Sequence, residues 1–454
     1  MESLGLPGLS DRLTIVATAT APGRSALAVV RLSGPDVPTL AEQLLDPTPV
    51  QIRRATRCTL RDAAGHAIDE VVATRYQAPH SFTGEDMLEI STHGGLVVPA
   101  AVVAVAIELG AREAEPGEFT RRAVLSGKLD LLQAEAIGDL IDARSSAAHR
   151  LALRQLDGGL SRRIVELREQ ILALEALLAY DIDFPEEDDG PVPRQRITAT
   201  ASALITALGE LLASGSRGAL VHEGALVVLA GAVNAGKSSL FNAMLGEARA
   251  IVTEVPGTTR DAIEAVLDLP GYPLRLVDTA GRRETVDIVE RLGIEASARY
   301  LARATIVLAC VDSIEGLAML PRLRLETTAP VIVVATKCDL VSNRKELWGD
   351  VSVSAHTGKG ITELLQLIET RVQEEQGPAS VDAPVLTRAR HHVAVERATI
   401  ELRHFQRAWD EDLLPSSVSA THVRAAADAL AELIGTVHVE DVLDVVFRSF
   451  CVGK

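Results

Sequence analysis

Residues 231–238 read Gly-Ala-Val-Asn-Ala-Gly-Lys-Ser, between an apolar run, ALVVLA, and a helix-forming stretch, SSLFNAML. The pattern is G-x-x-x-x-G-K-[ST], in the strand-then-helix setting that gives it meaning. A chain can use it only by delivering a buried strand into a tight turn and then directly into a helix. The glycines let the turn bend until the backbone N–H groups of Asn234, Ala235, Gly236, Lys237, Ser238 and Ser239 face a phosphate chain. The helix N-terminus adds a favourable partial charge. Lys237 is the residue for the β- and γ-phosphates, and the Ser238 hydroxyl suits Mg²⁺, a hard cation that prefers oxygen. A chance glycine turn would need neither neighbour.

Further apolar runs follow: LRLV at 274–277, TIVLACV at 305–311, VIVVA at 331–335 and VSVS at 351–354. Helical stretches separate most of them, which predicts a parallel sheet with helices on both faces. Ligands of such sheets bind at the carboxyl ends of the strands, and polar motifs stand at those ends here. In Asp278-Thr279-Ala280-Gly281, Asp278 is expected to hold Mg²⁺ through water, and the Gly281 N–H to reach the γ-phosphate. Between these and the first motif lies Gly257-Thr258-Thr259-Arg260-Asp261, where the Thr259 hydroxyl can cap the metal. The same loop also reads as an ordinary Gly/Thr turn. In Thr336-Lys337-Cys338-Asp339, the Asp339 carboxylate can accept both N–H groups of the guanine edge, a donor pair that adenine lacks. The Lys337 stem can cover the base face, and Ser354-Ala355 can offer a backbone N–H to the guanine oxygen. The order of these segments predicts a guanine-nucleotide site binding GTP and Mg²⁺.

Outside this region the pattern changes. Residues 12–120 mix short β-rich runs (Leu27 to Leu32, Glu70 to Ala73, Met87 to Thr92) with Gly and Pro, as in a small α/β domain. Helical patterning begins near Arg121, and Ile164, Leu167, Ile171, Leu174 and Leu178 line one helical face. A loop is expected at Asp181 to Asp189, before Gly190, Pro191 and Pro193, then a helix over about residues 195–215. After about residue 375 the chain is helical again. Val423, Ala427, Leu430 and Ile434 share a face, as do Leu443, Val446, Phe447 and Phe450. The flanks before 225 and after 375 are expected to pack as one helical domain with the sheet domain inserted in it.

Aromatics are only 3% of the 454 residues, so the cores must be built from Ala, Val, Leu and Ile. No continuous apolar run approaches the roughly 18–20 residues of a bilayer span. The nearest, Leu96 to Leu109, contains Pro99 and Glu108, and no membrane crossing is expected. The first residues, MESLGLPGLSDR, lack a basic-then-apolar leader pattern. Cys58, Cys310, Cys338 and Cys451 have no metal-ligand spacing and read as reduced thiols of a cytoplasmic protein. The net charge of −17 argues against broad non-specific nucleic-acid binding. An RNA substrate would have to be bound at a local patch or through a partner.

Several further segments are distinctive: Phe82-Thr83-Gly84-Glu85-Asp86, His93-Gly94-Gly95, Pro116-Gly117-Glu118-Phe119, Lys128-Leu129-Asp130-Leu131, Ile182 to Glu187, Glu290 to Glu295, and the terminal Phe450-Cys451-Val452-Gly453-Lys454. With these and the nucleotide motifs, nearly the whole chain resembles the MnmE (TrmE) family of tRNA-modification GTPases. The resemblance implies a multidomain chain. Residues 1–120 would form an N-terminal α/β domain that binds a tetrahydrofolate derivative and dimerises. Residues 121–220 and 376–454 would form a discontinuous all-α domain. Residues 221–375 would be an inserted P-loop GTPase domain of Ras-like type. It also implies a homodimer that joins an FAD-containing partner of the MnmG (GidA) type in a heterotetramer. Together they would modify carbon 5 of the tRNA wobble uridine, with GTPase domains that meet when K⁺ is bound.

The resemblance assigns K⁺ to Asn234 with backbone oxygens around Thr253, Val255 and Thr258, where the cation would supply charge as an arginine finger does elsewhere. Thr253 and Thr258 thereby also border the GTP. A plain loop hydrogen bond is the other reading of Asn234. Arg282 stands where Ras-like enzymes carry the water-orienting glutamine, and the resemblance moves that role to Glu284, which otherwise reads as a solvated side chain. Cys451 is tied by resemblance to the tRNA chemistry, with Lys454 nearby to favour thiolate, but a free cysteine is equally a small apolar residue. Arg24, Glu85, Glu89, Arg121 and Lys454 are the folate candidates. An arginine can pair bidentately with the folate glutamate, while surface ion pairs account for the same residues.

The chain departs from the family pattern at Ala232-Val233 (usually Arg-Pro), Thr336 (usually Asn), Arg282 (usually apolar) and Arg24 to Leu27 (usually Gly-rich). Two other functional classes remain open at this level: a GTP-driven switch without covalent RNA chemistry, and a ribosome-assembly GTPase.

Overall fold

The computed structural model describes residues 13–183, 192–247, 250–251, 263–269, 272–278, 298–340, 348–377, 383–411, 415–435, 446–447 and 450–453. The chain divides into two compact units, Met1–Gly138 with Ile434–Lys454, and Asp139–Leu433.

The first unit is built on a seven-stranded sheet of β1 (Ile15–Thr18), β2 (Leu27–Ser33), β3 (Leu45–Asp46), β4 (Thr56–Arg61), β5 (Ala67–Tyr76), β6 (Met87–His93) and β7 (Arg112–Glu113), in the order β3-β4-β5-β6-β2-β1-β7. All neighbours are antiparallel except β1 and β7. The helices α1 (Val37–Leu44) and α2 (Val97–Glu108) cover one face. Val30 and Leu32, two apart on β2, meet Leu40 and Leu44 of α1 and Val102 and Ala106 of α2 in one core. α2 is the apolar run 96–109 of the sequence. α3 (Glu118–Leu125) follows. The chain's last described residues also belong here. Gly117 N–H donates to the Cys451 carbonyl at 3.3 Å, Pro116 bridges to Val452, and Phe447 packs with Leu131 and Ala134. The sequence grouped this tail with the helices, because its apolar spacing names a face but not what the face meets.

Beneath α3 lies a buried ionic chain. Arg122 and Glu118 are 5% and 6% exposed. Arg122 donates to Glu118 at 2.9 Å, to Glu85 at 2.9 Å and to the Leu13 carbonyl, while Arg112 holds Glu118 from the other side. Burial alone would push the Glu118 carboxyl up. The Arg112 guanidinium, the Glu115 N–H and Arg122 override it and hold the carboxyl below its ordinary value.

The second unit holds a helical bundle and a second sheet. The bundle comprises α5 (Ser146–Leu156), α6 (Gly159–Asp183), α7 (Arg194–Ala213), α8 (Gly215–Glu223), α12 (Ala389–Asp410) and α13 (Ser416–Ile434); α4 (Leu131–Asp142) precedes them. Ser145 caps α5, its hydroxyl accepting from the Ala148 N–H. The face predicted on α6 is buried at Ile164, Leu167, Ile171, Leu174 and Leu178, and that on α13 at Val423, Ala427 and Leu430. α7 runs antiparallel to α12: Thr198 donates to Asp410, and Gln406 to Ser202. Within the second unit, a helix from before residue 225 and one from after residue 375 thus lie side by side.

Arg194–Glu223 is long and apolar enough, by length and composition, to cross a membrane, with a mean hydropathy of 1.4 over its most apolar 18-residue window. The sequence showed no continuous apolar run there because Ser, Thr and Gly interrupt it without adding charge. In the fold its apolar side, Ile197, Ala201, Leu204, Leu208 and Leu211, is buried in the bundle.

The sheet comprises β8 (Ala225–Gly231), β9 (Ala250–Ile251), β10 (Ile263–Leu267), β11 (Leu274–Asp278), β12 (Ile306–Val311), β13 (Val331–Ala335) and β14 (Val351–Ser352), in the order β14-β13-β12-β8-β11-β10-β9. α9 (Lys237–Glu247), α10 (Leu320–Glu326) and α11 (Ile361–Gln376) pack on it. Alternate residues serve two cores. Val227, Leu229, Leu276, Leu308 and Val334 enter one, and Leu226, Val228, Val277, Val307 and Ala309 the other. A strand buried on both faces reads as a continuous apolar run, which is why the sequence displays these strands so plainly. The expected parallel sheet is parallel only from β11 to β14; β10 and β9 are antiparallel. Six residues join β10 to β11, enough for a hairpin but not for the dozen or more of a parallel crossover.

The chain enters and leaves this sheet side by side. A Cβ on Gly218 would lie 2.0 Å from the Leu386 carbonyl oxygen. Leu386 N–H donates to Ser214, Gln155 to Thr387, and Arg388 pairs with Asp139.

Arg122→Met should lower the free energy of unfolding of the N-terminal unit by about 3 kcal/mol, the low end for breaking a buried pair because Arg112 remains. Urea denaturation checks this. The Glu118 carboxyl is depressed in the fold, so its contribution is whole above the unfolded glutamate value of about 4.3 and fades as pH falls through the folded value. The gap between wild type and variant should narrow on acidification below about pH 4. A gap that widens there would contradict the assignment.

Candidate functional site

The parallel strands end along one edge of the second sheet, and the polar motifs gather there. β8 ends at Gly231, where a Cβ would come within 2.5 Å of the Cys310 carbonyl oxygen on β12. Only glycine lets the turn start so close to its neighbour. Asn234 takes a left-handed conformation (φ 63°) and Gly236 another (φ 87°), after which α9 begins at Lys237. Lys237 is 7% exposed, and its ammonium donates to the carbonyls of Gly231 (2.9 Å) and Ala232 (2.7 Å), so it lies along the turn. Ala235 is buried, while Val233, Asn234, Ser238 and Ser239 are exposed on the turn and first helical residues.

β11 ends at Asp278, 1% exposed, whose Oδ2 accepts from Ser238 Oγ at 2.6 Å. Two hard oxygen donors thus stand together beside the lysine. The pair fits Mg²⁺, which is commonly bound through one or two such protein groups with waters and phosphates completing the shell.

The far side of the edge is made by β12, β13 and β14. Thr336, 4% exposed, donates its hydroxyl to the Ala235 carbonyl at 2.7 Å, tying the turn to the segment after β13. Lys337 has a left-handed backbone (φ 57°), and its ammonium pairs with Asp312 at 2.7 Å. That pairing fixes the head of the side chain and leaves its stem as a wall. The Ser354 hydroxyl hydrogen-bonds the Asp339 carboxylate, and this is the first cause holding the carboxyl below its ordinary value. Asp339 is therefore an ionised, acceptor-only group at neutral pH. Ser354 is itself fully buried and accepts from the Thr357 N–H, and Ala355 follows it. Cys310, beneath the turn, is pushed up to about 12 by burial, so it is a packing residue and not a nucleophile.

The structure thus brings Asn234, Ala235, Gly236, Lys237, Ser238, Ser239, Asp278, Thr336, Lys337, Asp339, Ser354 and Ala355 to one strand-end edge. Thr253, Val255, Thr258, Thr259, Gly281, Glu284 and Lys454 lie outside the described residues. The sequence reading missed Asp312. Its signal was available: an acidic residue directly after the buried run TIVLACV, at the same edge as Asp278.

The folate candidates do not form one cluster of free groups. Glu85 accepts from Ser33 and Arg122, and Glu89 from Arg31 and Tyr76. Arg24 is exposed on the loop between β1 and β2. Arg121, on α3, has a buried Nε without a hydrogen-bond partner. Cys451 is an exposed free thiol.

Thr336→Val keeps the shape of the side chain and removes the donor to Ala235. A loss of stability of about 1–3 kcal/mol is expected, the cost of leaving a buried carbonyl unpaired, read from the urea midpoint of the full chain.

Comparison with known proteins matches residues 14–128 to the family described as GTP-binding protein TrmE N-terminus, and residues 131–451 to the MnmE helical domain. The tRNA modification GTPase MnmE of Moorella thermoacetica is 41% identical over 97% of this chain and 99% of its own. That of Azoarcus sp. is 43% identical over 97% and 98%. The G domain of the T. maritima FeoB iron transporter aligns with 33% of this chain and 99% of its own at 31% identity, with a TM-score of 0.27, too low to add to this. Both family matches and the near full-length identity agree: this chain belongs to the MnmE family of tRNA modification GTPases.

Proposed function

We propose that this chain binds GTP with Mg²⁺ and hydrolyses it to support carbon-5 modification of the tRNA wobble uridine, with a flavoprotein partner. The observation that carries the nucleotide half is the pairing, on one strand-end edge, of an anion-binding turn with an acceptor-only carboxylate. Lys237 leaves the turn carbonyls for the β- and γ-phosphates. The turn N–H groups and the start of α9 neutralise the remaining phosphate charge. Ser238 would ligate Mg²⁺ with Thr259, and Asp278 would hold a metal-bound water; the metal supplies charge compensation as the terminal phosphate departs. Asp339 accepts the two guanine N–H groups, the Lys337 stem covers the base, and Ala355 faces the guanine oxygen.

Hydrolysis is attack of water on the γ-phosphorus with GDP leaving. Glu284 orients that water. Asn234, with backbone oxygens at Thr253, Val255 and Thr258, holds K⁺ between two GTPase domains of a homodimer. Arg282 has only donors and cannot accept a hydrogen bond from the water as a glutamine amide oxygen could, which supports moving this role to Glu284. Cys451, exposed and free, is the residue offered to the tRNA chemistry. Arg24, Glu85, Glu89, Arg121 and Lys454 are offered to a tetrahydrofolate one-carbon donor. Of these, Arg24 and Arg121 are the stronger, because Glu85 and Glu89 already serve internal partners.

Asp339→Asn should weaken GTP binding by about 100-fold, the worth of roughly 3 kcal/mol in charge-assisted hydrogen bonds. It should also admit xanthosine triphosphate, whose extra carbonyl can accept from the new amide. Fluorescent-nucleotide titration reads both, and ATP binding as tight as GTP in the wild type would refute the base-reading assignment.

Wild-type hydrolysis should be faster in K⁺ than in Na⁺ at matched ionic strength, and Glu284→Ala should lose about 10²-fold in kcat in K⁺. Equal rates across the four combinations would remove both the cation and the glutamate from the mechanism.

A further inference from the structure

Two helices of the bundle bring together three metal-binding side chains that the nucleotide chemistry does not use. Glu401 and His404 stand three residues apart on α12 and so share a face. His422, on α13, meets them there. Its Nδ1 lies 2.7 Å from Glu401 Oε2. The His404 and His422 rings pack edge to face, their centroids 5.6 Å apart at 72°. One ligand atom from each of the three falls within 4.8 Å of the others. Glu401 and His422 are half-buried and His404 is exposed.

We propose that Glu401, His404 and His422 form a binding site for a late first-row divalent metal, zinc above all, that clamps α12 to α13. The donor set decides the class. Two imidazoles with one carboxylate suit zinc, whereas Mg²⁺ and Ca²⁺ seek oxygen alone. The geometry is close to what tetrahedral zinc requires. Bonds of about 2.0–2.1 Å place ligand atoms about 3.3 Å apart. The Glu401–His422 contact opens from 2.7 Å by about 0.6 Å, and exposed His404 swings inward to complete three ligands. Water takes the fourth position, as in zinc sites with three protein ligands. The clamp is not needed to fold the pair, because Arg397 of α12 and Glu432 of α13 already join them at 2.6 Å. It adds a metal-dependent tie between α13 and α12, the helix that packs against α7 and that follows the sheet's exit segment.

The test uses the full chain, stripped with chelator and loaded with Mg²⁺ and GDP so that the nucleotide site is filled. Zinc is titrated against a chromophoric competitor. One zinc per chain and a rise in Tm on loading are expected. His404→Ala and His422→Ala should each lower the affinity at least about tenfold, while Cys451→Ser leaves it unchanged. Basal GTP hydrolysis should be the same in His404→Ala and His422→Ala as in the wild type. Cobalt in place of zinc should give the strong visible bands of a tetrahedral site in the wild type and lose them in His404→Ala. His404 is exposed, so its loss cannot be confused with misfolding. Zinc that binds with equal stoichiometry and affinity to His404→Ala, no zinc binding by the wild type, or binding abolished by Cys451→Ser would each overturn the site.

Discussion

The pairing register of the buried strands β8, β11 and β12 governs everything the chain can do with a nucleotide. Leu229 of β8 stands opposite Asp278 of β11, and Gly231 opposite Cys310 of β12. Side chains alternate between faces with a period of two, so a slip of one residue would send each apolar set to the wrong side. It would also break the approach of Ser238 to Asp278. The two cores hold the register by volume, with Val227, Leu229 and Leu308 on one face and Val228, Val307 and Ala309 on the other. The 2.6 Å contact between Ser238 and Asp278 is therefore set by packing several residues away.

The same logic explains which parts of the site are rigid. Thr336 joins the turn after β8 to the segment after β13 through one buried hydrogen bond, and Lys337 is held by Asp312 from the neighbouring strand end. Threonine at 336, where the family usually has asparagine, still supplies the donor that the Ala235 carbonyl needs. Ala232 and Val233 replace a usual Arg-Pro but contribute only backbone to the turn, and Val233 is 88% exposed. Ala232 and Val233 thus differ from the family where only backbone is engaged, whereas Thr336 differs where a side-chain donor is needed and still provides one.

Much of this was legible in the residues because burial on both faces and phosphate recognition leave short, local signatures. ALVVLA, TIVLACV and VIVVA can hardly be anything but interior strands, and a P-loop between strand and helix fixes its own geometry. Other features had no such local mark. IEAVL of β10 alternates too weakly to be read as a strand, and its antiparallel sense comes from the shortness of the link to β11. Phe447 spells an apolar face whose partners, Leu131 and Ala134, lie about three hundred residues away in sequence. Asp312 does carry a local mark, an acidic residue just past a buried strand, but its pairing with Lys337 does not follow from that mark. The roles of Glu85 and Glu89 likewise turn on partners, Arg122 and Arg31, that no spacing rule connects.

The hairpin of β10 and β11 has a position in the second unit that sequence order hides. At one end, Ile263 pairs with Asp278, whose carboxylate accepts from Ser238. Beyond its other end, Asp268 accepts from both the N–H and the hydroxyl of Ser146, at 3.0 and 2.6 Å, at the start of α5. A carboxylate at a helix N-terminus is favoured by the partial charge of the exposed amides, so this contact anchors the hairpin to the bundle. The strands between are paired throughout and packed on β8, which makes them stiff along their length. Paired strands and one carboxylate thus join the strand-end edge to the helices that flank the sheet in sequence.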